Sequence, residues 1–281
     1  MYVNIKKYHN MKYSLFTLLI VLLIACKPKD SDSSQSASTD SSQEKTENIT
    51  DKTSNKYTLK PFAVSEQYLD AKILYKGYKN GKFDFDVQSE TYKLGLQTPD
   101  APAKMCANSD QGQHIHLIVD NAPYAAKYVA DFDYDIEDGS HYILAFLSRS
   151  YHESIKTPDA RIAMKAEVKD KTIVSTDMIT DPMVFYSRPK GTYVGKANTD
   201  KVMLDFYLNN VNIVDGYKVI ADINGEEHVL ERWEPYYIEG LPMGKNTITL
   251  TLVDNNGNTV DTPLNPVTRE FELKEDPADA M

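Results

Sequence analysis

Gly112-Gln113-His114-Ile115-His116-Leu117-Ile118-Val119-Asp120-Asn121 is echoed later in the chain by Gly216-Tyr217-Lys218-Val219-Ile220-Ala221-Asp222-Ile223-Asn224-Gly225. Each stretch opens on a glycine, carries apolar residues two apart, and closes on residues suited to a tight turn. Side chains two apart share one face of an extended chain, so both stretches read as strands with a buried side. Working outward, each is followed by an aromatic, acidic segment, Tyr128 to Tyr134 in the first half and Trp233 to Tyr237 in the second. A glycine then precedes another strand: Gly139-Ser140-His141-Tyr142-Ile143-Leu144, and Gly244-Lys245-Asn246-Thr247-Ile248-Thr249. The intervals Gly112–Gly139 and Gly216–Gly244 differ by one residue. Each half ends in a last strand, Arg161 to Val168 and Val267 to Leu273. A unit repeated in this way predicts two copies of one sandwich.

The rest of the chain agrees with an all-β reading. Further alternating runs occur at Lys82 to Val87, Tyr142 to Leu147, Met203 to Leu208 and Thr247 to Val253. Asn80-Gly81, Asn224-Gly225 and Asn256-Gly257 are hairpin signals, because Asn and Gly tolerate positive φ. Only Val64 to Leu69 suggests a short turn of helix. The expected organisation is two tandem immunoglobulin-like β-sandwich domains. They comprise residues 58–180 and 193–275, joined by a linker at 181–192, where Pro182, Pro189 and Gly191 cluster, and followed by a tail at 276–281. The first copy carries extra residues, 94–111, between strands that are close in sequence in the second copy. Long loops in compact domains often hold function.

Residues 1–25 read as a leader. Lys6, Lys7 and Lys12 precede an apolar run from Leu15 to Ala25, too short to span a bilayer but right for a signal peptide. Residues 26–57 are dominated by Ser, Thr, Asp, Glu, Lys and Gln, the composition of a solvated tether. Removing the leader takes the formal net charge from −10 to −13. With no basic stripe, that charge excludes nucleic acid as a partner. Cys26 and Cys106 are the two cysteines of the chain. If Cys26 is modified, no internal disulfide can form.

Candidate chemistry gathers on the first copy. His114 and His116 share one strand face, so two imidazoles can converge on one ion. His141 opens a neighbouring strand, and Cys106 lies in the extra loop. Imidazole with thiolate suits copper(I) or zinc. The second copy has Lys218, Ile220 and Asn246 at the three histidine positions, so the fold does not demand histidine there. A hydrogen-bonded histidine pair on a sheet face, with Cys106 as a small buried residue, is the alternative. A second cluster is Ser148-Arg149-Ser150-Tyr151-His152-Glu153, in which Arg149, Ser150 and His152 can receive a carboxylate, phosphate or sulfate on a loop at a sandwich end. A polar loop with a surface Arg–Glu pair is the plainer reading. Trp233, Tyr236 and Tyr237 offer a sugar or peptide platform, or core packing. No motif of an enzyme is present, neither Gly-x-Ser-x-Gly nor His-Glu-x-x-His, and catalysis is not expected.

Four resemblances add to these readings. Leu23-Ile24-Ala25-Cys26 resembles the lipobox of bacterial lipoproteins, which implies cleavage before Cys26, lipidation of Cys26 and a membrane anchor. Lys27 after that cysteine implies the outer membrane. Ser148-Arg149-Ser150-Tyr151-His152 is loosely similar to the Ser-Arg-x-His stretch of FHA phosphopeptide-binding domains, with one extra residue between Arg149 and His152. Cys106-Ala107-Asn108-Ser109 with Gly112-Gln113-His114-Ile115-His116, Leu147 to Lys156, Phe185 to Gly191 and Ile238 to Pro242 together resemble uncharacterised Gram-negative envelope lipoproteins, some labelled phosphopeptide-binding. The His-x-His strand with Gly-Ser-His is also similar to small periplasmic sandwiches thought to bind metal. These likenesses imply an anchored binding or accessory module, with a protein or peptide partner or a place in an envelope assembly, and bring no activity.

Overall fold

The computed structural model describes residues 56–280. The leader, Cys26 and nearly all of the tether lie outside the described residues. Among those described, no helix is long and apolar enough to cross a membrane.

Among the described residues, seventeen strands form two sandwiches. In the first, β2 (Lys72–Lys79), β3 (Lys82–Gln88) and β6 (Asp131–Asp133) make one sheet in that order. The opposing sheet runs β5 (Ala125–Lys127), β4 (His114–Val119), β7 (Gly139–Ser148), β8 (Arg161–Lys169) and β9 (Thr172–Met178). Phe83, Phe85, Ile115, Leu117, Ile143, Leu147 and their neighbours fill the space between. In the second sandwich, β1 (Thr58–Pro61), β15 (Tyr236–Glu239), β12 (Val202–Asn209) and β10 (Met183–Arg188) form one sheet. The other runs β11 (Gly191–Val194), β17 (Val267–Lys274), β16 (Gly244–Val253), β13 (Lys218–Ile223) and β14 (Glu226–Leu230). The two halves share one topology. Sheet order β5-β4-β7-β8 repeats as β14-β13-β16-β17, and β2-β3-β6 repeats as β10-β12-β15. Register follows: His114 opposes Ser148 on β7, and Lys218 opposes Val253 on β16.

Three boundaries differ from the sequence reading. Thr58–Pro61, expected to open the first domain, pairs with Tyr236–Glu239 in the second sandwich, and Tyr57 of the expected tether is buried in that core. The expected linker at 181–192 is largely strand. Met183-Val184-Phe185-Tyr186 is buried on both faces, so its apolar run does not alternate and reads poorly against flanking prolines. The helical turn expected at Val64 to Leu69 is irregular chain; a short helix, α1 (Ala101–Lys104), forms instead inside the extra loop.

The arrangement of faces positions the site. Ile115, Leu117 and Val119 of β4 point into the first core. The alternate residues His114, His116 and Ile118 point out, and all are buried as well. What covers that outer face is the second sandwich. Ile118, Leu144 and Phe146 pack with Met183, Phe185 and Tyr207 in a third apolar core shared by both halves. The histidine face of β4 is therefore an inter-sandwich face.

Candidate metal centre

His114 and His116 are two apart on β4 and fully buried. His152 joins them from the tight turn after β7, where Arg149 N–H bonds the Glu153 carbonyl and His152 N–H the Arg149 carbonyl. His152 has φ +70°, a conformation histidine enters more readily than most residues. His114 Nε2 lies 2.9 Å from His116 Nε2 and 3.0 Å from His152 Nδ1. Donor atoms of the three all fall within 4.8 Å of one another. Among the described residues, this is the group of His, Cys, Asp or Glu side chains close enough to share an ion. Three nitrogens bound to one ion at ~2.0–2.1 Å stand about 3.3 Å apart, so the two pairs on His114 Nε2 would open by a few tenths of an ångström and the remaining pair, within 4.8 Å, would close by up to about 1.5 Å.

The proton accounting leaves one ring nitrogen able to ligate. His114 Nδ1 is 2.7 Å from the Gly112 carbonyl oxygen, which can only accept, so Nδ1 carries the hydrogen. In the neutral ring Nε2 then holds a lone pair, aimed at two other ring nitrogens at once. Burial chiefly, with the Arg188 and Lys190 cations, pushes His114 down to about 4, the Gly112 bond opposing. Burial and the neighbouring imidazoles and cations push His116 well below its usual value; for His152 the causes are burial, then Arg188. All three rings are therefore neutral near pH 7, the state in which imidazole ligates metal.

The surroundings hold the rings and bury two of them. Tyr124 stacks on His116 with ring centres 3.6 Å apart, and its hydroxyl lies 3.2 Å from His152 Nδ1. Phe146 is 5.0 Å from the His116 ring and Tyr128 5.0 Å from the His114 ring. Ser187 of β10 reaches His116 Nδ1 at 3.3 Å, so the second sandwich supports a ligand carried by the first. Lys190 stands 4.0 Å from the centre of the Tyr124 ring and donates to the Tyr124 carbonyl.

The extra loop fastens the end of β4. Gln113 N–H bonds the Leu96 carbonyl at 2.7 Å, and Gly95 N–H the Gln113 carbonyl at 2.8 Å. A Cβ on Gly112 would lie 2.6 Å from the Leu96 backbone, so only glycine allows this approach. Ser150 and Thr98 exchange bonds, Thr98 N–H to Ser150 Oγ and Ser150 N–H to Thr98 Oγ1, tying the loop to the turn that carries His152.

The expected site residues divide. His114 and His116 converge as expected, but His141 does not join them. It bonds Asp120 Oδ2 at 2.6 Å and the Glu137 carbonyl. Because Val119 opposes Ile143, His141 lies beyond the far end of β4, roughly 20 Å of strand from His114. Cys106 packs with Phe62, Tyr151, Met203 and Tyr237, and burial pushes its thiol up to about 11. It stands outside the imidazole group. Arg149 is 2% exposed rather than open to an anion. Its guanidinium bonds the Glu66 carbonyl and lies 3.6 Å from Glu153, while His152 turns to the other imidazoles. Ser150 is wholly buried in the loop fastening. Trp233 and Tyr236 pack against the second core, and Tyr237 donates to the Lys104 carbonyl. Sequence reasoning assigned His152 to an anion cluster; only the fold of the Ser148–Ser154 turn brings it to His114.

No protein-family model matches the chain, and no curated protein does. Among solved structures it is similar to the fibronectin(III)-like modules of Clostridium thermocellum CbhA, with 14% identity over 78% of this chain and 94% of that one and a TM-score of 0.27. It is also similar to the central fibronectin-III array of RIM-binding protein, at 10% identity over 74% and 69% of the two chains with a TM-score of 0.24. A third likeness is to Bacteroides ovatus SGBP-B, solved with a mixed-linkage heptasaccharide, at 7% identity over 79% and 71% with a TM-score of 0.20. At these scores the fold rests on the strand order described above, and the function on the side chains.

Proposed function

We propose that this chain is a transition-metal-binding module of the cell envelope, holding one ion between His114, His116 and His152. The observation that carries the reading is the convergence of three neutral imidazoles, two fully buried and one half-buried, whose ring nitrogens lie within 4.8 Å of one another. Without an ion, His116 or His152 can donate a ring N–H to the His114 Nε2 lone pair; an ion would take that lone pair and those of its neighbours instead. The leader and Cys26 add a lipid-anchored, outer-membrane location to the proposal.

Purified protein dialysed against copper or zinc is expected to retain a single ion per chain, read by elemental mass spectrometry. His114→Ala/His116→Ala should lose at least about a hundredfold in affinity, since two of three ligands go. His141→Ala and Cys106→Ser should bind as the unmodified protein does. Unchanged retention in the double variant would remove the site. Cys26→Ser is expected to leave the membrane fraction; a variant that still sediments with membranes would remove the anchor.

A further inference from the structure

We propose that the centre is built for a soft, singly charged ion, copper(I), in preference to a dication such as zinc. The inference rests on the metal reading above and adds the charge and coordination number of the ion.

The first ground is the donor set. Three imidazoles satisfy a three-coordinate ion without water. Zinc sites add a fourth ligand, commonly a thiolate, a carboxylate or a water held in an open position. Here the neighbouring groups are aromatic: Tyr124 lies flat on His116, and Phe146 and Tyr128 flank the other sides; the Tyr124 hydroxyl, 3.2 Å from His152 Nδ1, is held protonated by burial. The one cysteine in the described residues is packed among apolar side chains outside the cluster.

The second ground is charge. Among the described residues, no carboxylate belongs to the imidazole group. The charged side chains that face it are cations. Arg188 is buried, and its guanidinium donates to the Tyr193 hydroxyl at 2.7 and 3.2 Å rather than to an acid. Lys190 sits over the Tyr124 ring that covers His116. The nearby acids are engaged elsewhere: Glu153 of the turn with Ser65 and Arg149, and Asp205 of β12 with Lys156. A second positive charge on the ion would be placed beside two cations, at two fully buried imidazoles and with no carboxylate to offset it. A monocation carries half that penalty, and imidazole suits copper.

The test uses the whole protein under anaerobic, reducing conditions. Copper(I) and zinc(II) affinities are measured by competition with chromogenic chelators in the unmodified protein, Lys190→Gln, Lys190→Arg and His114→Ala/His116→Ala. X-ray absorption of the copper(I) form is expected to show three nitrogen neighbours and no sulfur. Lys190→Gln should raise zinc affinity about tenfold and copper(I) affinity about threefold, because the repulsion removed scales with the charge of the ion. Lys190→Arg should leave both unchanged. If the double histidine variant keeps its ions, the metal site itself is lost. If it loses them while the unmodified protein prefers zinc, the preference alone is overturned. Equal gains for both ions in Lys190→Gln would also overturn it.

Discussion

His116 has no solvent contact, and the imidazoles of His114 and His152 are forced toward neutrality with it. Their folded-state values are depressed, so between about pH 6.5 and about 4 the unfolded chain binds protons that the folded chain refuses. The stability tied to these rings is complete above pH 6.5 and falls as the pH drops toward 4, by up to about 1.4 kcal/mol per pH unit for each ring. The urea midpoint of the metal-free protein is therefore expected to fall from pH 7 to pH 5, and His116→Phe should fall less steeply. Parallel slopes would mean that the rings do not titrate as described. Gly112 is a second decisive residue. Its φ of +84° and its approach to Leu96 exclude a side chain, and its carbonyl fixes the His114 tautomer. Gly112→Ala is expected to destabilise the fold by at least about 2 kcal/mol and to weaken metal binding. Gly95→Ala, at φ +77° with nothing within 4 Å of the added carbon, should cost less. Thermal melts of the two variants make the comparison.

At the scale of elements, β4 explains what could be read beforehand. Its alternation of Ile115, Leu117 and Val119 announced a strand, and its match to β13 announced the duplicated sheet order. The outer face was harder, since His114, His116 and Ile118 read equally well as a wet surface. What buries them is β10, whose run Met183-Val184-Phe185-Tyr186 is apolar on both faces because it lies between two cores. Periodicity carries no signal for a strand of that kind. The same limit hid His152, whose place depends on a turn geometry rather than on a repeat. Contact between β4 and β10 is fastened by Asn121 at the end of β4. Its side chain donates to the Val184 carbonyl and accepts from Tyr186 N–H, each at 2.9 Å, so it substitutes for a neighbouring strand. Asn121→Gly keeps the positive φ of 57° and removes both bonds. The expected loss is roughly 2 kcal/mol, with weaker metal retention because Ser187 rides on the loosened strand. Unchanged stability in a urea titration would show that β10 is held by packing alone.

Across the whole molecule, the question is whether two sandwiches behave as two domains. Tandem modules joined by a mobile linker unfold separately, whereas a shared core makes them cooperative. Here Phe146 and Leu144 of one half interlock with Phe185 and Tyr207 of the other, all of them fully buried. Arg269 of β17 crosses the second sandwich's core to bond the carbonyls of Tyr186 and Asn121, joining the far sheet to the first half. The single tryptophan, Trp233, packs edge-on to Tyr207 with ring centres 5.0 Å apart and donates to the Phe206 carbonyl, so its fluorescence reports the second sandwich where it meets the first. Fluorescence and far-ultraviolet ellipticity are expected to follow one thermal transition. Metal bound at the histidines, which sit on the first half, should raise both curves by the same amount. Phe185→Ala, which opens the shared core, should cost about 3–5 kcal/mol and lower the common midpoint by roughly 10 °C. Two separate transitions in the unmodified protein, with Trp233 following only the one that metal leaves unmoved, would mean that the ion stabilises one sandwich and the contact between the halves does not transmit it.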